Sequence, residues 1–140
     1  MAEFGKDIDK ARSILQQDGL VAIPTETVYG LAANAFSEEA VVKIFEVKNR
    51  PSFDPLIVHV DSIEQAEDMV EYVPEKAKEL AARFWPGPLT ILLKKKAIIP
   101  DMVTSGLSTV AIRIPDHPLT LDLLHGLGFP LAAPSANPFG

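Results

Sequence analysis

The apolar positions of this chain recur at two spacings, one typical of helices and the other of strands. A helical spacing covers residues 8–15 and ends at Gly19. Four further helices are predicted to begin at residues that suit a helix N-terminus, namely Ser37, Ser62, Pro74 and Pro118. The helix that begins at Pro74 is expected to run to about Phe84. The helix that begins at Pro118 is expected to run to His125, and Gly126 ends it.

Strand patterns lie between these predicted helices. Short apolar runs predict buried strands at about 20–23, 56–60, 89–93 and 131–133. Apolar and other side chains alternate over residues 109–114, as in a strand. The set expected to face the core is Val110, Ile112 and Ile114. The set expected to face the opposite side is Thr109, Ala111 and Arg113. The small Ala111 would leave room beside Arg113 for a carboxylate or phosphate, although a surface ion pair would also explain this arginine. The irregular order of helices and strands predicts an α/β or α+β fold with helices packed on a mixed sheet.

Composition and charge narrow the class of protein. The 140 residues fit one domain, expected to span 1–140, and 47% of them are hydrophobic, enough for a packed core. The net charge of -6 disfavours nucleic-acid binding through bulk electrostatics. Binding through a local basic groove stays an alternative. The run at 94–96 is the visible lysine cluster, and it is interpreted as a solvated strand end.

Several kinds of chemistry are excluded or disfavoured. The absence of cysteine excludes a disulfide framework, a thiolate zinc site and a cysteine nucleophile. His59, His117 and His125 lack metal-ligand spacing, and no glycine-rich phosphate loop is present. No signal peptide or membrane span is visible, so a cytoplasmic protein is expected.

Two polar segments each end in a proline, which favours an extended backbone at the preceding residue. In an extended segment, residues two apart share a face. Lys48 and Arg50 would then point into one site and suit a polyphosphate, whereas a solvated helix end is the alternative. Ser135 and Asn137 would likewise share a face and hydrogen-bond phosphate or ribose, whereas a polar turn is the alternative.

Three other features are candidates for a site or for its support. Thr25, Thr27 and Tyr29 would line one face if their segment is extended. His59 ends a predicted strand, where ligand-facing residues often collect in α/β sheets. Residues 84–90 are interpreted as structural, with a buried aromatic side chain and a rigid proline-glycine turn.

Six of these motifs occur in order along the chain: Pro24–Leu31, Lys48–Pro51, Pro55–His59, Phe84–Thr90, Thr109–Pro115 and Pro134–Asn137. In this series they resemble the YrdC-like threonylcarbamoyl-AMP synthase family, from about residue 7 to the last residue. The resemblance implies a twisted mixed sheet with packed helices and a concave, positively lined cavity. It also implies an enzyme, an L-threonylcarbamoyladenylate synthase, in which L-threonine, bicarbonate and ATP give threonylcarbamoyl-AMP and pyrophosphate for the modification of tRNA.

The resemblance also assigns roles to residues. The threonine-binding set would be Thr27, His59, Arg113 and the main chain at Ala133. The ATP-binding set would be Arg50, Asp54, Thr109 and Ser135. The catalytic set around the phosphates would be Lys48, Arg50, Ser135 and Asn137. Mg²⁺ is expected to accompany ATP, without a separate metal site on the protein, and the Asp54 carboxylate would repel phosphate unless it faces the base or that ion.

Partners and alternatives follow from the same resemblance. It implies tRNA or double-stranded RNA and other tRNA-modification proteins as partners, and no membrane.

Relatives continue for several dozen residues past the Ser-Ala-Asn motif, which predicts that the domain is truncated at its C-terminal side here. Two alternatives stay open: a double-stranded RNA or tRNA-binding module without catalysis, and a carbamoyl-transfer domain of the hydrogenase-maturation type.

Overall fold

The computed structural model describes residues 8–25, 29–48 and 55–134. In these ranges the helices are α1 (Ile8–Gln16), α2 (Glu38–Lys48), α3 (Ile63–Glu67), α4 (Glu75–Phe84), α5 (Asp101–Thr104) and α6 (Pro118–His125). The strands are β1 (Val21–Pro24), β2 (Tyr29–Asn34), β3 (Ile57–His59), β4 (Ile91–Lys94), β5 (Thr109–Arg113) and β6 (Leu131–Ala133). None of these helices is long and apolar enough to cross a bilayer.

The strands form one mixed sheet in the order β1-β2-β6-β3-β5-β4. β3 and β5 run parallel, whereas the other neighbouring pairs run antiparallel. This architecture confirms the predicted α/β class and the mixed sheet with packed helices. A regular series of βαβ units would have made most neighbours parallel, so the irregular spacing in the sequence has its counterpart in the topology.

Two of the predicted helix N-termini are capped by serine side chains. Ser37 Oγ accepts from Ala40 N at 3.2 Å, and Ser62 Oγ accepts from Gln65 N at 3.1 Å. The Gln65 side chain in turn accepts from Asp61 N at 2.8 Å, one residue earlier than the usual reciprocal bond of a capping box. These bonds satisfy backbone donors that a helix start leaves without intrahelical partners.

Three elements differ from the sequence prediction. Pro74 is the N-cap of α4 and precedes its first helical residue, where the sequence predicted it inside the helix. β2 was not predicted because its sequence, Tyr-Gly-Leu-Ala-Ala-Asn, has no β-branched residue and no alternation. α5 was not predicted because four residues give too short a window for helical periodicity.

The two faces of the sheet pack against different helices. On the first face, Val58, Ile112 and Ala132 belong to a core cluster with α2, α3, α4 and α5. On the second face, Leu131 and Ala133 belong to a smaller cluster with α1 and α6. This arrangement confirms that Val110, Ile112 and Ile114 face the first core, as the alternation in β5 predicts.

Part of the second face lies outside both clusters. Ile57 and Ala111 are half-buried and Leu92 is exposed, and none of the three belongs to either core. Strand register places these residues side by side with alternate residues of the same strands. We call this surface the open face; it comprises Ile57, His59, Leu92, Lys94, Thr109, Ala111 and Arg113.

Candidate functional site

A histidine and an arginine lie together at one end of the open face. His59 is the last residue of β3 and Arg113 the last residue of β5, and they are direct partners in the parallel ladder. Partners in a ladder project to the same side of a sheet. They are only 4% and 8% exposed, and buried polar side chains of this kind are uncommon. Their pairing indicates a water-poor site for a polar or anionic ligand.

A turn after α4 fixes the arginine. Arg113 Nε donates to the Gly87 carbonyl at 3.2 Å, and Gly87 N donates to the Ile114 carbonyl at 2.8 Å. A guanidinium is planar, so holding its Nε sets the direction of its terminal fork. Arg113 is 8% exposed, so its side chain does not lie out in the solvent.

The same turn shows which aromatic side chain supports it. Trp85 Nε1 donates to the Leu89 carbonyl at 2.8 Å, and the Trp85–Pro86 peptide is cis. Trp85 is half-buried against the first core, whereas Phe84 is 51% exposed. These contacts support the structural interpretation of residues 84–90, with a half-buried Trp85 where the sequence predicted a buried aromatic side chain.

A threonine and a lysine lie at the other end of the open face. Thr109 begins β5 and pairs with Lys94 of β4 in the antiparallel ladder. Thr109 is half-buried and Lys94 is exposed. Thr109 and Arg113 are four residues apart on an extended strand, or about 13 Å. The open face is therefore long enough to hold two small ligands, or one ligand with two anionic ends.

Lys94 is a candidate that the sequence reasoning missed. The lysine run was interpreted as a solvated strand end, but the Lys95 side chain is only 10% exposed, and its Nζ bonds the Asp101 carboxylate and the Ile99 carbonyl, each at 2.9 Å. Lys94 differs because its strand alternates, with Ile91 and Leu93 buried and the intervening residues exposed. That alternation, read together with the partner strand, is the signal that could have found it.

The residues that flank three gaps in the described chain lie toward the same end of the sheet. Pro24 pairs with Tyr29 across the first gap, Pro55 lies two residues before β3, and Pro134 directly follows β6. The register of β6 with β2 and β3, and of β3 with β5, places these residues at one end of the strands. This is the end at which Thr109 begins β5. Pro24, Tyr29, Pro55 and Pro134 therefore lie toward the end of the sheet at which β5 begins.

Several predicted site residues fall in those gaps. Thr27, Arg50, Asp54, Ser135 and Asn137 lie outside the described residues. Lys48 is the last residue of α2, so the extended segment predicted for the Lys-x-Arg motif does not include its first residue.

The main chain at Ala133 is placed beside the open face. Ala133 pairs with Ile57 of β3, and its side chain packs in the second core. A Cβ atom at Gly30 would lie 3.5 Å from Ala133 Cβ, so small residues line this junction between the covered and the open parts of the face. Any ligand contact at Ala133 would use its main chain, as the family resemblance implies.

The described residues do not form a metal centre. Within 8–25, 29–48 and 55–134, histidine and carboxylate side chains are not grouped in threes that could hold an ion. The open face carries two cations and a histidine, which favours an anionic ligand over a metal ion.

Comparisons with known proteins agree with this geometry. The family model for Sua5, YciO and YrdC, described as telomere recombination, matches residues 13–140. A threonylcarbamoyl-AMP synthase of Bacillus subtilis is 57% identical over 132 residues, which are 93% of this chain and 38% of that protein. A protein of the same name from Cellvibrio japonicus is 32% identical, and the match covers 95% of this chain and 70% of the relative.

A solved structure gives the same fold. The crystal structure of Pyrococcus abyssi Sua5 complexed with L-threonine has a TM-score of 0.89 and 52% identity, and the match covers 93% of this chain and 38% of that one. The chain therefore spans well under half the length of the Bacillus and Pyrococcus relatives.

The fold and the site define a class: an α/β domain with a mixed sheet, one face of which carries a buried arginine outside the two core clusters of the described residues. Within that class, the chain belongs to the Sua5/YciO/YrdC family, which confirms the resemblance drawn from its motifs.

Gly87→Ala tests whether the turn beside Arg113 is a rigid support. A Cβ at Gly87 would lie 2.6 Å from the Phe84 carbonyl, so the backbone must shift. We expect the free energy of unfolding in urea to fall by about 1–3 kcal/mol, as for other overpacked sites. Gly126→Ala is the matched control, since its Cβ would meet the Arg12 side chain, which can move. Equal losses in the two variants would contradict a rigid turn.

Proposed function

We propose that this chain carries the L-threonylcarbamoyladenylate synthase site of its family. The site would join L-threonine, bicarbonate and ATP into threonylcarbamoyl-AMP and release pyrophosphate. The observation that supports this most directly is the buried pair of His59 and Arg113 at one end of the open face, opposite Thr109 and Lys94 at the other. An amino acid and a nucleotide would then occupy the two ends of one surface.

Threonine fits the His59 end. Its carboxylate matches the fork of a guanidinium, which can donate two parallel hydrogen bonds. The low exposure of Arg113 strengthens such a contact, because little water competes for the charge. His59 next to it offers a ring nitrogen for a polar group of the same ligand. The family resemblance adds Thr27 to the contacts of this ligand, from a segment that leaves the sheet at Pro24 and rejoins it at Tyr29.

ATP fits the Thr109 end. A hydroxyl and an ammonium lie side by side there, and both bind phosphate oxygens well. Arg50, Asp54 and Ser135 are the further ATP contacts that the resemblance implies, with Lys48 and Asn137 beside the phosphates. Mg²⁺ would arrive with the triphosphate, which chelates it through its own oxygens.

The reaction needs cations more than it needs a nucleophilic side chain. The amine of threonine adds to bicarbonate with loss of water and gives a carbamate, whose oxygen attacks the α-phosphorus of ATP while pyrophosphate leaves. Both reactants are anionic, so fixed positive groups in a water-poor site lower the repulsion between them. Holding the reactants on one surface also removes much of the entropic barrier.

Partners of the whole protein follow from the same proposal. Threonylcarbamoyl-AMP is a mixed anhydride, which activates its threonylcarbamoyl group for transfer. A second protein would transfer this group to an adenosine of tRNA in the cytoplasm. The net charge of -6 favours delivery of a small product over direct binding of an RNA duplex.

The central experiment is a pyrophosphate-release assay. We expect release only when threonine, bicarbonate and ATP are present together, because the carbamate forms before the phosphorus is attacked. Serine and valine in place of threonine serve as matched controls for the amino-acid end. Release without threonine would contradict the synthase. Release that depends on carbamoyl phosphate would support the carbamoyl-transfer alternative, and salt-dependent RNA binding without turnover would support the RNA-binding one.

Arg113→Ala tests the carboxylate contact. Loss of a charged hydrogen-bonding pair should raise the KM for threonine by about tenfold or more and leave the KM for ATP nearly unchanged. Arg113→Lys is the matched control, because it keeps the charge and loses the fork, so its KM for threonine should fall between those of the wild type and the alanine variant. An unchanged KM for threonine in Arg113→Ala would rule out the contact.

Lys94→Ala tests the ATP end of the open face. We expect the KM for ATP to rise about threefold to tenfold at low salt and the difference to shrink at high salt, because an exposed cation is screened. Lys96→Ala, two positions along and likewise exposed, is the matched control and should leave the KM for ATP unchanged. Equal effects of the two substitutions would mean that only general charge matters.

A further inference from the structure

Two adjacent strands carry the same spacing of a threonine and a cation. Thr109 and Arg113 are four residues apart on β5, and Thr90 and Lys94 are four residues apart on the segment that becomes β4. Because the two strands are antiparallel, Lys94 is the register partner of Thr109. The same register, continued by one residue before β4, places Thr90 opposite Arg113. A hydroxyl and a cation therefore lie side by side at both ends of the open face.

The burial of its neighbours shows where the Thr90 side chain projects. Leu89 is half-buried and packs against the first core, and Ile91 is buried in that core. Side chains alternate along an extended chain, so Thr90 projects to the opposite side, as Leu92 does. Thr90 is exposed, and it borders the open face next to Arg113.

The hydrogen bonds of the ladder show how close Thr90 and Arg113 lie. Lys95 N donates to the Ser108 carbonyl at 3.0 Å, so the register pair at that end is a hydrogen-bonded one. The two kinds of pair alternate in an antiparallel ladder, which makes Thr90 and Arg113 a non-hydrogen-bonded pair, with Cα atoms about 4.5 Å apart. The Arg113 carbonyl accepts instead from Val60 N, beyond β3, at 3.0 Å. The Thr90 hydroxyl is thus within reach of a ligand that the guanidinium binds.

Arg113 is the middle member of a polar row across the sheet. β5 lies between β3 and β4, so Arg113 has His59 on one side and Thr90 on the other. His59 is buried, whereas Thr90 is exposed, so the Thr90 side of this row is the more accessible to a small ligand. The contacts that fix the turn before β4 involve Trp85 and Gly87, and they leave the Thr90 side chain to another role.

We infer that Thr90 is a further ligand-binding residue at the Arg113 end of the open face, an inference that rests on the proposed function. Its hydroxyl donates to the carboxylate of L-threonine, which the Arg113 guanidinium also binds. A carboxylate has about four lone-pair sites, so it accepts from both groups at once. The pair of Lys94 and Thr109 has the same chemistry for phosphate at the other end, so the two anionic reactants would each meet one hydroxyl and one cation.

Substitutions at the two threonines separate the two ends. Thr90→Val removes the hydroxyl and keeps the branched shape, whereas Thr90→Ser keeps the hydroxyl. Because Thr90 is exposed, neither change should much alter the free energy of unfolding in urea. Thr109→Val makes the same chemical change at the other end of the open face and is the matched control.

Calorimetric titration with L-threonine is the central measurement, and L-threoninamide, which lacks the carboxylate, is the matched ligand. We expect Thr90→Val to bind L-threonine about tenfold more weakly than the wild type does, because a hydrogen bond to a charged group is lost. Thr90→Ser and Thr109→Val should bind L-threonine as the wild type does. An equal loss of affinity for L-threonine and L-threoninamide in Thr90→Val would overturn the carboxylate contact.

The titration also separates this inference from the proposed reaction. A wild type that binds L-threonine but releases no pyrophosphate would overturn the reaction alone. Wild-type affinity for L-threonine in Thr90→Val would overturn the Thr90 contact, whether or not the enzyme turns over. A wild type that binds no L-threonine would overturn both.

Discussion

The parallel pairing of β3 with β5 is the constraint on which the rest of the structure depends. It aligns Ile57 with Ala111 and His59 with Arg113. Because side chains alternate along a strand, a slip of one residue would turn Val58 or Ile112 to the open face and bury a charged group in the first core. The register is therefore fixed by the burial of aliphatic side chains, and the same register assembles the site. Core packing and the position of His59 beside Arg113 are two results of one pairing.

Burial of a guanidinium is unfavourable unless its donors find partners, so the structure around Arg113 has to be preorganised. The Gly87 carbonyl takes one donor, and the main chain of the same glycine is bonded back to the strand at Ile114. Glycine is needed there because a side chain would collide with the Phe84 carbonyl. The Trp-Pro-Gly-Pro turn, which is remote from Arg113 in sequence, therefore belongs to the same unit as the arginine.

Local patterns in the sequence predicted the parts of this unit but not their contacts. The alternation in 109–114 identified the two faces of β5, and the caps at Ser37 and Ser62 located two helices, because both signals depend on near neighbours. Strand order, the bond from Thr120 to Pro24 and the placement of Lys94 beside Thr109 depend on residues far apart in the chain. No local spacing encodes them. The family resemblance implied the roles proposed for His59 and Arg113, and the register shows that the two are neighbours.

The distribution of charge explains how an acidic chain can carry a locally positive surface. At physiological salt, exposed charges farther apart than about 8 Å are largely screened from one another, so the net charge of -6 has little influence inside a small site. The open face includes Arg113 and Lys94 and no carboxylate among its defined residues. A small anion on this face therefore meets a locally positive surface. An RNA duplex, whose phosphates extend over many Debye lengths, would also meet the acidic remainder of the surface. The same charges thus favour small anionic ligands over a duplex at this site.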